Sequence, residues 1–204
     1  MIDEALEERL LHNPHFSSLF KRVEENGINR FVFSEAFCSC LDEFLNEHRN
    51  DNPVLRDEEE NYILPAIAAY QTLKRFSPNA YRIFREMWLE GAEKGAAYLQ
   101  GKAKDEAFLS AWCKSVTPKN EDAGAFLFRI EKSEPCETEY HVLRCPYVAL
   151  CNAYSCPEIV TVFCDSDDIS FGNIHPRMEW RRSRTIGRGD DICDFHYVYR
   201  PHNE

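Results

Sequence analysis

The period of the apolar residues changes once, near residue 120, and no other feature of the sequence constrains the fold as much. Before that point apolar side chains recur with helical spacing. Phe37, Leu41, Phe44 and Leu45 stand at i, i+4, i+7 and i+8 behind Ser34, a residue able to cap a helix. Asn50 to Glu60 then reads as a polar loop. Ile63, Ala66, Ile67, Tyr70 and Leu73 share a second helical face, with Pro65 best placed in its first turn. Ser77-Pro78 predicts the start of another helix through Phe84, Met87, Trp88 and Leu99, and a shorter one spans about Asp105 to Cys113.

Beyond a turn-like polar stretch at Lys119 to Gly124 the period is two. Phe126, Phe128 and Ile130 share one side of a strand, and a second strand sets His141 and Leu143 against Tyr140 and Val142. Cys156-Pro157 starts a short helix through Val160, Phe163 and Phe171. Two strands follow, Met178 to Thr185 and Ile192 to Tyr199, joined at Arg188-Gly189-Asp190-Asp191, where glycine accepts the positive φ of a tight hairpin. The expectation is an α+β fold: a helical region over 1–119 packed on an antiparallel sheet over 120–204, in β-β-α-β-β order, as one integrated domain.

A net charge of −11 repels phosphate backbones and anionic membranes. The basic stretch Arg177 to Arg188 is divided by strand alternation over two faces. Asp3, Glu4, Glu7 and Glu8 are opposite in sign to a secretory leader, and the longest apolar run, Ile63 to Tyr70, is broken by Pro65 and far short of a bilayer span of roughly 20 residues. The reading is a cytoplasmic protein with a small-molecule ligand, no nucleic-acid or membrane partner, and room for a homo-oligomer.

Nine cysteines in a reducing compartment stay free, and point to a metal, to catalysis or to small buried side chains. Cys38 and Cys40 on one helix point about 200° apart and cannot share an ion. With Cys113 they read as packing. Cys145, Cys151, Cys156, Cys164 and Cys193 crowd the C-terminal part among Asp165, Asp167, Asp168, His175 and Asp194, without a CxxC pair. Val160, Cys164 and Asp168 are i, i+4 neighbours, so thiol and carboxylate share an apolar helix face, whereas Asp167 reads as solvated. A buried carboxylate needs a cation, a donor or a proton. On the third strand Met178, Trp180, Arg182 and Arg184 oppose Ser183 and Thr185; an arginine beside an aromatic can hold a substrate carboxylate by a forked hydrogen bond. On the fourth, Asp194 and His196 oppose Cys193 and Phe195. No Gly-rich phosphate loop, GxSxG or HExxH is present.

The run Trp180-Arg-Arg-Ser-Arg-Thr-Ile-Gly-Arg-Gly-Asp-Asp-Ile-Cys-Asp-Phe195 resembles the ending of the L-2-amino-thiazoline-4-carboxylic acid hydrolase family. Cys145-Pro146-Tyr147 and Phe163-Cys164-Asp165 are similar to that family's Cys-Pro-Tyr and Cys-Asp segments, and the resemblance covers about residues 60 to 200. Ser183 replaces a more usual Thr, and Arg184 and Arg188 make the hairpin unusually basic. The resemblance implies helices on an antiparallel sheet, similar to the small-molecule-binding 4-vinyl-reductase-type domains. It also implies hydrolytic opening of a thiazoline ring, with water adding to a C=N carbon flanked by sulfur and nitrogen.

Such a hydrolysis needs an activated water, a donor for the nitrogen that gains electron density and an anchor for the substrate carboxylate. Arg182 is the expected anchor, with Trp180 and Thr185 beside it. Asp168 or Asp194 is the expected base or proton shuttle, and Cys164 and Cys193 complete the catalytic set. Alternatively Cys145, Cys164 and Cys193 would hold zinc, three thiolates leaving one position for an activated water. The other reading is a non-catalytic ligand-binding or sensor domain with the same cysteine-rich, metal-binding end.

Overall fold

The N-terminal half is helical because its apolar stripes bury one another. Leu19–Glu25 (α1), Arg30–His48 (α2), Pro53–Glu58 (α3), Leu64–Phe76 (α4), Ala80–Lys102 (α5) and Glu106–Ser115 (α6) follow in order in the computed structural model, which describes residues 10, 12–104, 106–122 and 124–201. Asp105 of the expected last helix, Ala123 of the expected turn, and Asp3, Glu4, Glu7 and Glu8 lie outside the described residues.

Two expectations are corrected here. Helix α2 starts at Arg30 and not behind Ser34, because Asn29 is the cap: its side chain accepts from the Val32 amide at 3.2 Å, and Ser34 is buried within the helix. Asn50 to Glu60 is not a loop. Asn52 accepts from the Leu55 amide at 3.0 Å, Pro53 takes the first turn of α3, and a π-helical turn at Glu59–Ile63 carries the chain straight into α4. The core of this half joins Phe33, Phe37 and Leu41 of α2 to Ile67 and Leu73 of α4 and to Phe84 and Trp88 of α5. His15 lies flat on Trp88, with ring centroids 4.3 Å apart. Among the described residues no helix is long and apolar enough to cross a membrane.

The sheet is antiparallel throughout. Its strands are Leu127–Glu134 (β1), Glu137–Arg144 (β2), Met178–Arg181 (β3) and Cys193–Tyr199 (β4), in the spatial order β1-β2-β4-β3. Between β2 and β3 stand two helices and not the expected one, Pro146–Ala153 (α7) and Val160–Gly172 (α8). Both follow a Cys-Pro pair whose proline serves the first turn, Pro146 directly and Pro157 through a 3₁₀ turn. The register pairs Phe128 with Val142, Val142 with Cys193 and Tyr140 with Phe195, so these side chains share one face. Tyr140 stacks on Phe195 at 5.2 Å and meets Phe128 edge-on at 5.7 Å.

Strand β3 ends at Arg181, short of the expected Thr185, because Arg182 turns its guanidinium inward and the next amides are held by carboxylates instead of a neighbouring strand. Asp194 accepts from the Ser183 and Arg184 amides at 2.9 and 2.6 Å, and Asp190 from Thr185 at 2.7 Å. The expected tight hairpin is a 3₁₀ turn at Ile186–Arg188 closed by Gly189 at φ 101°. Helix α8 joins two cores: Val162 and Phe163 pack with the N-terminal helices, while Phe171 packs with the sheet and α6.

Gly91 and Gly95 on α5 separate steric need from helix propensity. A Cβ on Gly91 would lie 2.3 Å from His15 Cα, whereas one on Gly95 meets nothing within 4 Å. Gly91→Ala is expected to destabilise by about 1–3 kcal/mol and Gly95→Ala to stabilise by about 0.5–1 kcal/mol. Urea unfolding followed by Trp fluorescence measures both, and equal effects would contradict the close approach.

Candidate active site

Where the two cores fail to meet, they leave a cavity of about 450 Å³. The sheet supplies Phe128, Tyr140, Cys193 and Phe195; α8 supplies Val160, Phe163, Cys164, Asp167 and Phe171; Tyr147 of α7 and Glu58 of α3 close one side. The α8 residues recur at i, i+3, i+4, i+7 and i+11, one stripe of a helix. An aromatic wall with few polar groups is the usual make-up of a small-molecule site.

The polar centre is Arg182. Its side chain is 1% exposed, and its Nη1 donates to Asp167 Oδ2 at 2.8 Å while Nη2 reaches the Cys164 carbonyl at 2.6 Å and Asp168 Oδ2 at 2.8 Å. The guanidinium also lies over the rings of Trp180 and Phe195, 5.5 and 5.4 Å from their centroids. Its Nε is buried without a hydrogen-bond partner. Asp167 is 35% exposed, but it lines the cavity, so that exposure opens inward and protein surrounds the carboxylate. Burial pushes its pKa up, Arg182 pulls it down, and the balance raises it from 3.8 to about 6. Asp167 is therefore a carboxylate poised to exchange a proton near neutral pH.

Cys145, Cys164, Cys193 and Arg182 all line the cavity, whereas Asp168, Asp194, Trp180 and Thr185 do not. Asp168 is one residue, or 100° of helix, from Asp167. It faces the outer side, accepting from Trp180 Nε1 at 3.1 Å and pairing with Arg188 at 3.4 Å. Trp180 stacks behind Arg182, and Thr185 is buried with its amide on Asp190. Asp194 is on the opposite sheet face. Despite partial burial, the Ser183 hydroxyl and the amides of Ser183 and Arg184 hold its pKa below the usual carboxylate range, which suits a backbone clamp and not a proton shuttle.

The thiols converge on the cavity without converging on one point. Cys145, Cys164 and Cys193 do not bring three sulfurs within 4.8 Å of one another, so they do not fit one zinc ion. They sit on three elements, with Cys193 Sγ accepting from the Ile186 amide at 3.2 Å and Cys164 Sγ against the Gly187 turn. Burial, the largest influence on each, pushes Cys145 up to about 12 and Cys164 up to about 11, and raises Cys193 as well. Protonated thiols are poor nucleophiles.

Sequence reasoning missed Asp167, Glu58 and the aromatic wall of Phe128 and Tyr140. The stripe Val160-Phe163-Asp167-Phe171 was a usable signal for the first. A family model described as L-2-amino-thiazoline-4-carboxylic acid hydrolase matches residues 56–197, more than two thirds of the chain. The chain belongs to this family. No curated protein and no solved structure matches it. Apart from His15, every residue lining the cavity falls inside the part matched by the hydrolase family.

If Arg182 is the main counter-ion that restrains Asp167, then Arg182→Gln will move the Asp167 titration midpoint upward from about 6, because only the weaker pull of Arg188 then opposes burial. Carboxyl ¹³C NMR of folded protein measures this; an unchanged or lower midpoint would contradict the assignment.

Proposed function

We propose that the protein is a small-molecule hydrolase that opens a cyclic carbon–nitrogen ring of the aminothiazoline carboxylate type, with Asp167 as general base. The observation that carries this is the Asp167–Arg182 pair on the wall of an aromatic cavity, the acid raised to about 6 and held at 2.8 Å. A 2-aminothiazoline is a cyclic isothiourea and a base. Its protonated form presents two N–H groups that suit a carboxylate, while its own carboxylate suits a guanidinium. Arg182 lines the cavity and is the guanidinium that a substrate carboxylate bound there would meet. Phe128, Tyr140, Phe163 and Phe195 would pack the ring and its sulfur.

The step needs one proton moved twice. Asp167 takes a proton from water as the water oxygen bonds to the C=N carbon, and the electron pair of the C=N bond goes to the nitrogen, which in the bound cation already carries its proton. One ring bond at that carbon then breaks, its leaving atom takes the proton from Asp167, and the oxygen releases its remaining proton, the one the substrate cation brought in excess, to solvent as the carbonyl forms. Cys164 and Cys193 act in this scheme as protonated wall residues and form no covalent intermediate.

Purified protein given L-2-amino-thiazoline-4-carboxylate is expected to consume the ring. The rate should rise as pH increases through about 6, where Asp167 loses its proton. Asp167→Asn should lose about 10²–10⁴-fold in rate while remaining folded by circular dichroism, and Cys164→Ser should stay within a few-fold of wild type. Full activity in Asp167→Asn would remove the base. Thermal stabilisation by the compound without ring opening would make the protein a ligand-binding domain instead.

A further inference from the structure

Away from the cavity, the end of α2 and the π-helical turn before α4 bring three ligand-type side chains together. His48 Nδ1 lies 2.9 Å from Asp51 Oδ2 and 3.2 Å from Glu59 Oε1, and the three ligand atoms lie within 4.8 Å of one another. Glu59 is the unusual member. Its side chain is fully buried, yet neither carboxylate oxygen has a hydrogen-bond partner, and Oε1 is aimed into the cluster. A buried carboxylate without donors is costly to maintain, and a cation beside it is one way to offset that cost.

The histidine is oriented by a chain of hydrogen bonds on its far side. Tyr154 donates its hydroxyl hydrogen to Glu47 Oε2 at 2.6 Å, so at the 3.0 Å contact with His48 Nε2 the tyrosine oxygen accepts and the imidazole donates. In the neutral ring that leaves Nδ1 as a bare lone pair facing two carboxylates. A second-layer acceptor that sets the tautomer and turns the free nitrogen toward acidic oxygens is the arrangement by which proteins prepare histidine for a metal. The spacing agrees: ligands about 2.1 Å from an octahedral ion stand about 3.0 Å apart. Asp51 is 37% and His48 21% exposed, which gives an ion access and leaves room for water as further ligands.

We propose that His48 Nδ1, Asp51 and Glu59 form a binding site for a divalent first-row transition ion. One nitrogen and two carboxylates form a set that such ions take and that Mg²⁺ and Ca²⁺, which prefer all-oxygen sites, take less well. The ion would tie together α2, the π-helical turn and, through Tyr154, the end of α7. Because π-helical turns gather at functional positions and Glu58 next door lines the cavity, the ion would also fix one wall of that cavity.

The test is titration of untagged, EDTA-treated full-length protein with Mn²⁺, free ion being read by electron paramagnetic resonance. Mn²⁺ is chosen because it binds imidazole and carboxylate while competing weakly for the nine thiols. One saturable site is expected. Glu59→Gln and His48→Ala should each weaken it by about a hundredfold or more, and Tyr154→Phe by about tenfold. Should Glu59→Gln fail to fold, the more exposed Asp51→Asn carries the same expectation. The absence of saturable Mn²⁺ binding in the wild type, or affinity unchanged in these variants, would overturn the site.

Discussion

A guanidinium buried to 1% exposure cannot stand alone, and the C-terminal half of this protein is arranged around satisfying Arg182. Helix α8 provides two carboxylates and a carbonyl within 2.8 Å, and the sheet provides two aromatic faces. Drawing Arg182 inward takes residues 182–185 out of the sheet. Their amides then need other acceptors, which Asp194 and Asp190 supply. The short third strand, the 3₁₀ turn and the placement of Asp167 are consequences of one ion-pair network.

That network lies where two cores meet. Helix α8 packs with the N-terminal helices through Val162 and Phe163 and with the sheet through Phe171, and the unfilled space between becomes the cavity. Its polar content is concentrated in one pair. Burial by aromatic neighbours raises Asp167 and the adjacent guanidinium restrains it, so the acid rests near neutrality instead of being fully ionised or permanently protonated. The same burial keeps the neighbouring thiols protonated, so groups crowded onto one wall differ in charge state.

Much of this was legible from residue spacing, and the failures are of one kind. Strand β4 could be divided correctly into a Cys193–Phe195 face and an Asp194–His196 face, because side-chain alternation is a local property of a strand. Cys145, Cys164 and Arg182 line the same cavity as Cys193, a convergence that spacing along the chain does not establish. Which of Asp167 and Asp168 lines the cavity was not legible: each completes an apolar stripe from Val160, Asp168 through Cys164 and Asp167 through Phe163, and only the packing of α8 selects between stripes 100° apart, turning Asp167 to the cavity. Asn50 to Glu60 misled through polarity. Caps are polar too, and Asn52-Pro53 starts a helix whose continuation buries Glu59 beside His48.

By itself the sequence determined the α+β class and the hydrolase family. Those follow from periodicity and motif, which are written along the chain. Tertiary structure alone decided that three thiols share a wall without sharing an ion, that Asp194 clamps backbone, and that Asp167 faces Arg182 inside. Burial and distance between distant residues set the charge state of each group, and neither quantity exists until the two cores have packed.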